Sequence, residues 1–366
     1  MSSKKIKILY IIPSLRLCDG VASYAMNYYR GLSKKQFQID FIVCSDDQSD
    51  YYDEIEKNGG KIFYISKLGK SNIKSKFKEI DDFFEKNKYD IVHCHILTMG
   101  AIYLYYAKKH GIKIRILHSH ATKYGEGLWK NFRNSLFAYF SLKFANVYYA
   151  CSKAAGDFLF KNKKYEVINN AIDIEKFEYN RSKRNEIRKK YGIRENDLLI
   201  GNVGRLCKQK NQEFIINVIK NIDNRKNVKL MIIGNGEDQE KLESMCDSSK
   251  KIIIIGSQKN IADYFSAFDL FVLPSLYEGL PVVGIEAQAN GVPCLFSSNI
   301  TDEIVINSNC KRLDLNEDEW INAISEITEK NRIYDYSELI KKGYEINTAT
   351  KLLAEKYVDL VKREEM

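Results

Sequence analysis

At 366 residues, with 45% hydrophobic and 29% charged side chains, the chain reads as globular and too long for one ordinary core, which suits two domains of about 150 to 200 residues. Its net charge of +9 is lopsided: residues 1–168 carry 28 Lys and Arg against 16 Asp and Glu, residues 169–366 carry 29 against 32. Eight cysteines without a Cys-x-x-Cys pair, no signal peptide and no run of about 18 apolar residues exclude a disulfide scaffold and a spanning helix, and point to a reducing cytosol.

Short apolar runs alternate with helix-like stretches, which predicts an α/β protein with mostly parallel sheets. In chain order the first half offers strands at 6–12 (stopped by Pro13), 39–44, 62–65, 90–94, 114–118, 147–150 and 167–169. Residues 175–192, rich in Lys, Arg and Asn, read as a linker followed by a short charged helix, and the domain boundary is placed there. The second half offers strands at 198–203, 230–233, 252–255, 270–273 and 293–296, and the apolar spacing of Leu352, Leu353, Tyr357, Leu360 and Val361 predicts a closing helix. The expected domains are 1–178, 179–348 and a C-terminal helix, 349–366, packing back on the first.

Open parallel sheets bind ligands beyond the carboxyl ends of their strands, so the residues just after each strand matter most. After the strand at 270–273 a loop carries Glu278 and Gly279, and a helix is predicted to start near Val282 with Glu286 about one turn inside. Both carboxylates can then face one ligand while free helix amides face a phosphate. Taken singly, each acid reads more readily as a solvated surface group; the surrounding Gly279, Gly284 and Gly291 and the apolar neighbours of Glu286 favour a site. After the strand at 198–203 come Gly204, Arg205, Lys208 and Lys210, three cations within six residues, suited to a diphosphate.

Four of the five histidines, His93, His95, His118 and His120, fall within 28 residues. Two His-x-His pairs at strand ends invite a metal, but the nearby carboxylates and thiols lack ligand spacing, and the expectation is no metal site. Lys67, Lys70, Lys74, Lys76 and Lys78 crowd one segment, and Trp129, Phe132, Leu136, Phe137 and Phe140 interleave with Lys130 and Arg133. Such a surface suits an anionic membrane; the same aromatics read equally as a core stripe.

Gly204-Arg-Leu with Gln209-Lys-Asn, then Ile232-Ile-Gly-Asn-Gly-Glu, then Glu278 and Glu286 in a Glu-x7-Glu frame, together resemble the donor half of glycosyltransferase family 4. Pro13 to Tyr24 resembles that family's loop after its first strand, and Asn170-Ala-Ile-Asp its Asn-Gly-Ile-Asp segment. The match runs nearly end to end and is nearest to bacterial capsular and exopolysaccharide enzymes. The resemblance implies the GT-B architecture, two Rossmann-like doubly wound domains facing across a cleft, with an N-terminal acceptor domain and a C-terminal donor domain. It implies a retaining transfer of a hexose or N-acetylhexosamine from a nucleotide sugar, expected to be a UDP-sugar, to a lipid-linked saccharide, with no obligatory cofactor.

Residue by residue, the resemblance gives Arg205 and Lys210 the diphosphate, Glu286 the ribose, and Glu278 the transferred sugar. It gives the amides of Gly279, Leu280, Val282 and Val283 the phosphate and sugar, and places Gly204 in the same loop. His120 matches the family's active-site histidine, and Gly20 its diphosphate-approaching glycine, although the usual glycine pair is here Asp19-Gly20. The expected partners are a nucleotide sugar, a lipid-linked acceptor and an anionic membrane surface, without nucleic acid, at the cytoplasmic face of the cell membrane. A GT-B sugar-nucleotide epimerase and a non-catalytic nucleotide-sugar-binding protein are the alternatives. A Rossmann dehydrogenase is disfavoured, because no Gly-x-Gly-x-x-Gly follows the first strand.

Overall fold

The computed structural model describes residues 5–17, 19–44, 49–65, 73–97, 99–124, 128–222, 227–246, 251–327 and 331–366. Cys18, Lys67, Lys70 and the side chain of Lys130 lie outside this set. The chain divides into two compact units, residues 1–169 with 347–366, and residues 170–346.

The first unit runs β1 (Ile6–Ile12), α1 (Gly20–Gly31), β2 (Phe37–Val43), α2 (Tyr52–Lys57), β3 (Ile62–Tyr64), α3 (Ile73–Lys86), β4 (Ile91–Cys94), α4 (Gly100–Lys109), β5 (Ile114–Ser119), α5 (Leu128–Phe144), β6 (Val147–Ala150), α6 (Lys153–Phe160) and β7 (Glu166–Val167). The strands form one parallel sheet in the order β3-β2-β1-β4-β5-β6-β7. Ile8 to Ile12 are buried on both faces, as a central parallel strand requires, and each such side chain contributes about 1.5–3 kcal/mol.

The second unit runs α7 (Arg181–Lys190), β8 (Leu198–Val203), α8 (Gln212–Asn221), β9 (Val228–Ile233), α9 (Gln239–Ser244), β10 (Ile252–Ile255), α10 (Ile261–Ala267), β11 (Leu270–Leu273), α11 (Val282–Ala289), β12 (Cys294–Ser297), β13 (Cys310–Leu313), α12 (Glu317–Ser325) and α13 (Ser337–Lys341). Its parallel sheet has the order β10-β9-β8-β11-β12-β13. Trp320 of α12 closes the core over Ile200, Leu230 and Leu270. The strand β13 is absent from the expectations above; its Cys310-Lys-Arg-Leu is half exposed and lacks an apolar run.

Two expectations need correction, the linker and the domain boundaries. The segment 175–192 holds the expected short charged helix, α7, but does not act as a linker: Arg184 and Arg188 bind it into the second unit, reaching the buried carboxylate of Asp269 at 2.6 and 3.1 Å. The division therefore falls between residues 169 and 170 rather than at 178/179. The second crossing comes at 346/347, and α14 (Ile346–Glu365) belongs to the first unit, where Leu353 and Tyr357 are fully buried. Of the two readings left open for the aromatic stretch of α5, the core stripe is excluded: Leu128 is 92% exposed, Trp129 79%, Phe132 66% and Leu136 50%.

Candidate active site

In the second unit the strand order reverses between β8 and β11, and the segments leaving these two strands carry Gly204 to Asn211 and Pro274 to Pro281. The two segments are fastened to each other. The amide of Leu276 donates to the Gln209 carbonyl at 2.8 Å, Gln209 Nε2 to the Tyr277 carbonyl at 3.0 Å, and Asn211 Nδ2 to the Pro274 carbonyl at 3.1 Å. Beneath them the buried Asn202 donates to the Val272 carbonyl at 2.8 Å, and Asn170 donates to the Leu280 carbonyl.

The β9 turn joins the same body, since Leu206 donates its amide to the Asn235 carbonyl at 3.0 Å. Only glycine fits at its closest points: a Cβ on Gly234 would lie 1.9 Å from the Gly204 carbonyl oxygen, and one on Gly236 2.0 Å from that of Leu206. The Gly-Asn-Gly of the sequence is thus a packing requirement of this three-loop platform.

On the platform Lys210 Nζ lies 2.6 Å from Glu278 Oε1, with both side chains largely buried. The ion pair was not anticipated; the sequence separation of 68 residues hides it. Arg205 and Lys208 are exposed beside it. The helix α11 begins directly after Pro281, whose side chain makes no capping hydrogen bond, which leaves the helix start suited to an anion. The helix is otherwise buried, held by Gln288, which donates to the Ile304 carbonyl at 2.8 Å and accepts from the amides of Ile306 and Asn307 at 3.0 Å each. One turn inside it, burial pushes the Glu286 carboxyl up to about 7, with the Lys176 ammonium offsetting part of that rise.

The remaining candidates, Gly20 and His120, lie in the first unit. Gly20 opens α1, and a Cβ there would meet open space. The preceding Asp19 caps the helix, its carboxylate accepting from the amides of Val21 and Ala22 at 2.9 and 3.2 Å. The replacement of the family's first glycine therefore sets a negative charge on the amides that a phosphate would use.

His93 and His95 at the end of β4 meet His118 and His120 at the end of β5 in a block of four imidazoles. His93 stacks on His95 and His118 on His120, with ring centroids 4.2 Å apart in both pairs. Across the pairs, His93 Nε2 and His118 Nδ1 are 3.0 Å apart, and His95 Nδ1 and His120 Nε2 2.9 Å. His93 Nδ1 meets the Tyr357 hydroxyl at 2.6 Å, which in turn meets that of Tyr10 at 2.9 Å. Burial lowers the basicity of all four rings, holding His120 near a pKa of about 3, so they are neutral at physiological pH. Ligand nitrogens of His93, His95 and His118 lie within 4.8 Å of one another, close enough for a metal. The donor set is three neutral, buried imidazoles with no anionic ligand among the described residues, and the His93–His118 contact already requires a proton. Neutral imidazoles are themselves the metal-binding form, so what speaks for a hydrogen-bonded network is that proton, shared by His93 and His118 across their 3.0 Å contact, which a metal on those nitrogens would have to displace.

Two parallel sheets, each in the order that places ligands at a reversal point, define a GT-B protein of two Rossmann-like units. Comparison with known proteins agrees and goes further. Residues 183–345 match the family model of the group 1 glycosyl transferases, and residues 18–176 that of glycosyltransferase family 4. The putative glycosyltransferase EpsF of Bacillus subtilis is 30% identical over 320 residues, covering 83% of this chain and 82% of its own. The UDP-Gal:alpha-D-GlcNAc-diphosphoundecaprenol alpha-1,3-galactosyltransferase of Escherichia coli is 25% identical over 388 residues, covering 98% of both chains. Among solved structures, Anabaena HepE, crystallised with UDP and glucose, superposes with a TM-score of 0.79 at 16% identity over 96% of this chain and 99% of its own. The chain belongs to the family 4 glycosyltransferases.

Proposed function

We propose that the protein is a retaining glycosyltransferase that moves a hexose or N-acetylhexosamine from a UDP-sugar to a lipid-linked saccharide during capsular or exopolysaccharide synthesis. The observation that carries this reading is the fastened platform at β8 and β11, where Lys210 pairs with Glu278 and α11 starts directly after the same loop with Glu286 one turn inside it. The UDP-containing HepE structure supports the donor, and the diphosphoundecaprenol acceptor of the Escherichia coli relative supports a lipid-linked acceptor.

In this mechanism the bond between the anomeric carbon and the β-phosphate oxygen breaks, and the electron pair leaves with the nucleoside diphosphate. Arg205, Lys210 and the first amides of α11 take up the growing negative charge. Lys210 exchanges part of its bond to Glu278 for the phosphate, which frees Glu278 for the hydroxyls of the transferred sugar. The acceptor oxygen forms the new bond on the face that the phosphate leaves, and its proton passes to the departing phosphate oxygen. Glu286 holds the ribose, and His120 contacts the transferred sugar. No obligatory metal enters, because the two cations supply the positive charge.

A panel of nucleotide sugars is the test. One UDP-sugar should raise the melting temperature and be slowly hydrolysed without acceptor. Stabilisation by nucleotide sugars without hydrolysis or transfer would favour a binding protein, and interconversion of the sugar an epimerase.

We also propose that the first unit docks on an anionic membrane through α5. Leu128, Phe132, Leu136, Tyr139 and Phe140 recur at helical spacing on one exposed face, joined by Trp129, and Lys74 and Lys78 of α3 are exposed on the same unit. No helix among the described residues is long and apolar enough to cross a membrane. Binding to vesicles containing anionic lipid is expected to weaken as salt rises, since exposed charges are screened beyond about 10 Å at 0.1 M. Trp129→Ser with Phe132→Ser should reduce it by about tenfold or more, given about 1.5–3 kcal/mol per buried large side chain. Equal partitioning onto neutral and anionic vesicles, or no effect of the double substitution, would contradict membrane docking.

A further inference from the structure

The imidazole block fixes more than the position of His120. A neutral imidazole carries one N–H and one lone pair, so in the 2.9 Å contact between His95 Nδ1 and His120 Nε2 one ring donates and the other accepts. The choice is made at His95. Its other nitrogen, Nε2, is buried with no hydrogen-bond partner among the described residues, and the ring is walled by Tyr10 and Tyr24, with centroids 5.2 and 5.5 Å away.

If His120 donated from Nε2, His95 would have to carry its own proton on Nε2, leaving a sealed N–H with nothing to accept it. If His95 donates from Nδ1, only a lone pair faces the aromatic wall. Orphaned buried N–H groups are the rarer of the two in native structures, where an under-satisfied acceptor is tolerated more often. His120 does not weigh against this, because it is the one residue of the four that is not fully shielded from solvent and its Nδ1 has no partner among the described residues, so solvent or ligand can serve it in either role.

We infer that His95 is a positioning residue that locks His120 in the Nδ1–H tautomer, making it a fixed hydrogen-bond donor toward an oxygen of the transferred sugar rather than a base. The step toward the sugar rests on the proposed role of His120; the tautomer itself does not. A donor held in this way discriminates: it favours a sugar oxygen that accepts and penalises an N–H or C–H group at that place, because the wrong tautomer is not accessible without breaking the buried contact.

Nitrogen-15 NMR of the full-length protein labelled at histidine tests this, with the His120 signals assigned by their loss in His120→Phe. The expected wild-type pattern is protonated Nδ1 and bare Nε2 on His120. His95→Phe should release the ring from this pattern and lower turnover by about tenfold or more at nearly unchanged donor KM, the scale of losing an orienting partner. His95→Asn, whose amide N–H takes the place of Nδ1–H, should keep the pattern and stay within about threefold of wild-type turnover. A bare Nδ1 on His120 in the wild type would overturn the inference, and that measurement stands even if His95→Phe fails to fold. A pattern unchanged in folded His95→Phe would overturn it too. Unchanged transfer by His120→Phe would instead strike the proposed role of His120 while leaving the tautomer result to stand.

Discussion

Replacing Arg205 by Ala is expected to slow sugar transfer by about 2 to 4 kcal/mol of transition-state stabilisation, the scale of removing one preorganised donor, while leaving the melting temperature nearly unchanged. The separation of the two effects follows from exposure: Arg205, just beyond β8, is an exposed residue, so its removal uncovers no core. Lys210→Ala should cost as much in turnover and also reduce stability, because it removes the ammonium 2.6 Å from the largely buried Glu278 carboxylate. The double variant Lys210→Ala with Glu278→Ala should recover much of the lost stability and none of the turnover. Unchanged kinetics in both single variants would remove these residues from the diphosphate.

Much of the fold is legible because parallel strands leave short apolar runs: the buried β1, β8 and β11 occupy the runs that mark them, and so do the partly buried β6 and β10. What escaped depends on contacts distant in sequence. Nothing local says that Arg184 and Arg188 meet Asp269, some 80 residues on, so the segment reads as a linker with a short charged helix until that contact is seen. The aromatic face of α5 has one periodicity whether it meets a core or solvent, and only the exposure of Trp129 and Phe132 decides. The candidate site divides in the same way. Spacing alone puts Glu278 in a loop and Glu286 inside α11, whereas the Lys210–Glu278 pair, the His95–His120 contact and the raised Glu286 carboxyl are products of packing.

The raised carboxyl of Glu286 makes the proposed grip on the ribose pH-dependent in a defined direction. Ribose hydroxyls donate to the ionised form, and burial holds that form back until about pH 7. The competent fraction therefore rises about tenfold between about pH 6 and about pH 8, and nucleoside diphosphate affinity rises with it, releasing a proton on binding. Stability runs the other way. A carboxyl raised above its unfolded value favours the folded protein while protonated, and that contribution is lost as pH climbs through about 7. Glu286→Gln should thus melt higher than wild type near pH 8 and at about the same temperature near pH 5, the reverse of what is expected if the carboxylate only tied the loop to the helix.

Calorimetric titration of UDP into wild type, Glu286→Gln and Glu278→Gln at about pH 6 and about pH 8 addresses the donor platform directly. The nucleotide's terminal phosphate titrates in the same range, so the comparison between proteins at each pH is the readout. The predicted result is tight binding by wild type that strengthens with pH, weak binding by Glu286→Gln with that pH dependence largely gone, and near wild-type binding by Glu278→Gln despite depressed turnover of the intact donor. If Glu278→Gln loses UDP as severely as Glu286→Gln, or if all three proteins bind UDP alike at both pH values, the placement of nucleotide and sugar at the β8–β11 platform is wrong.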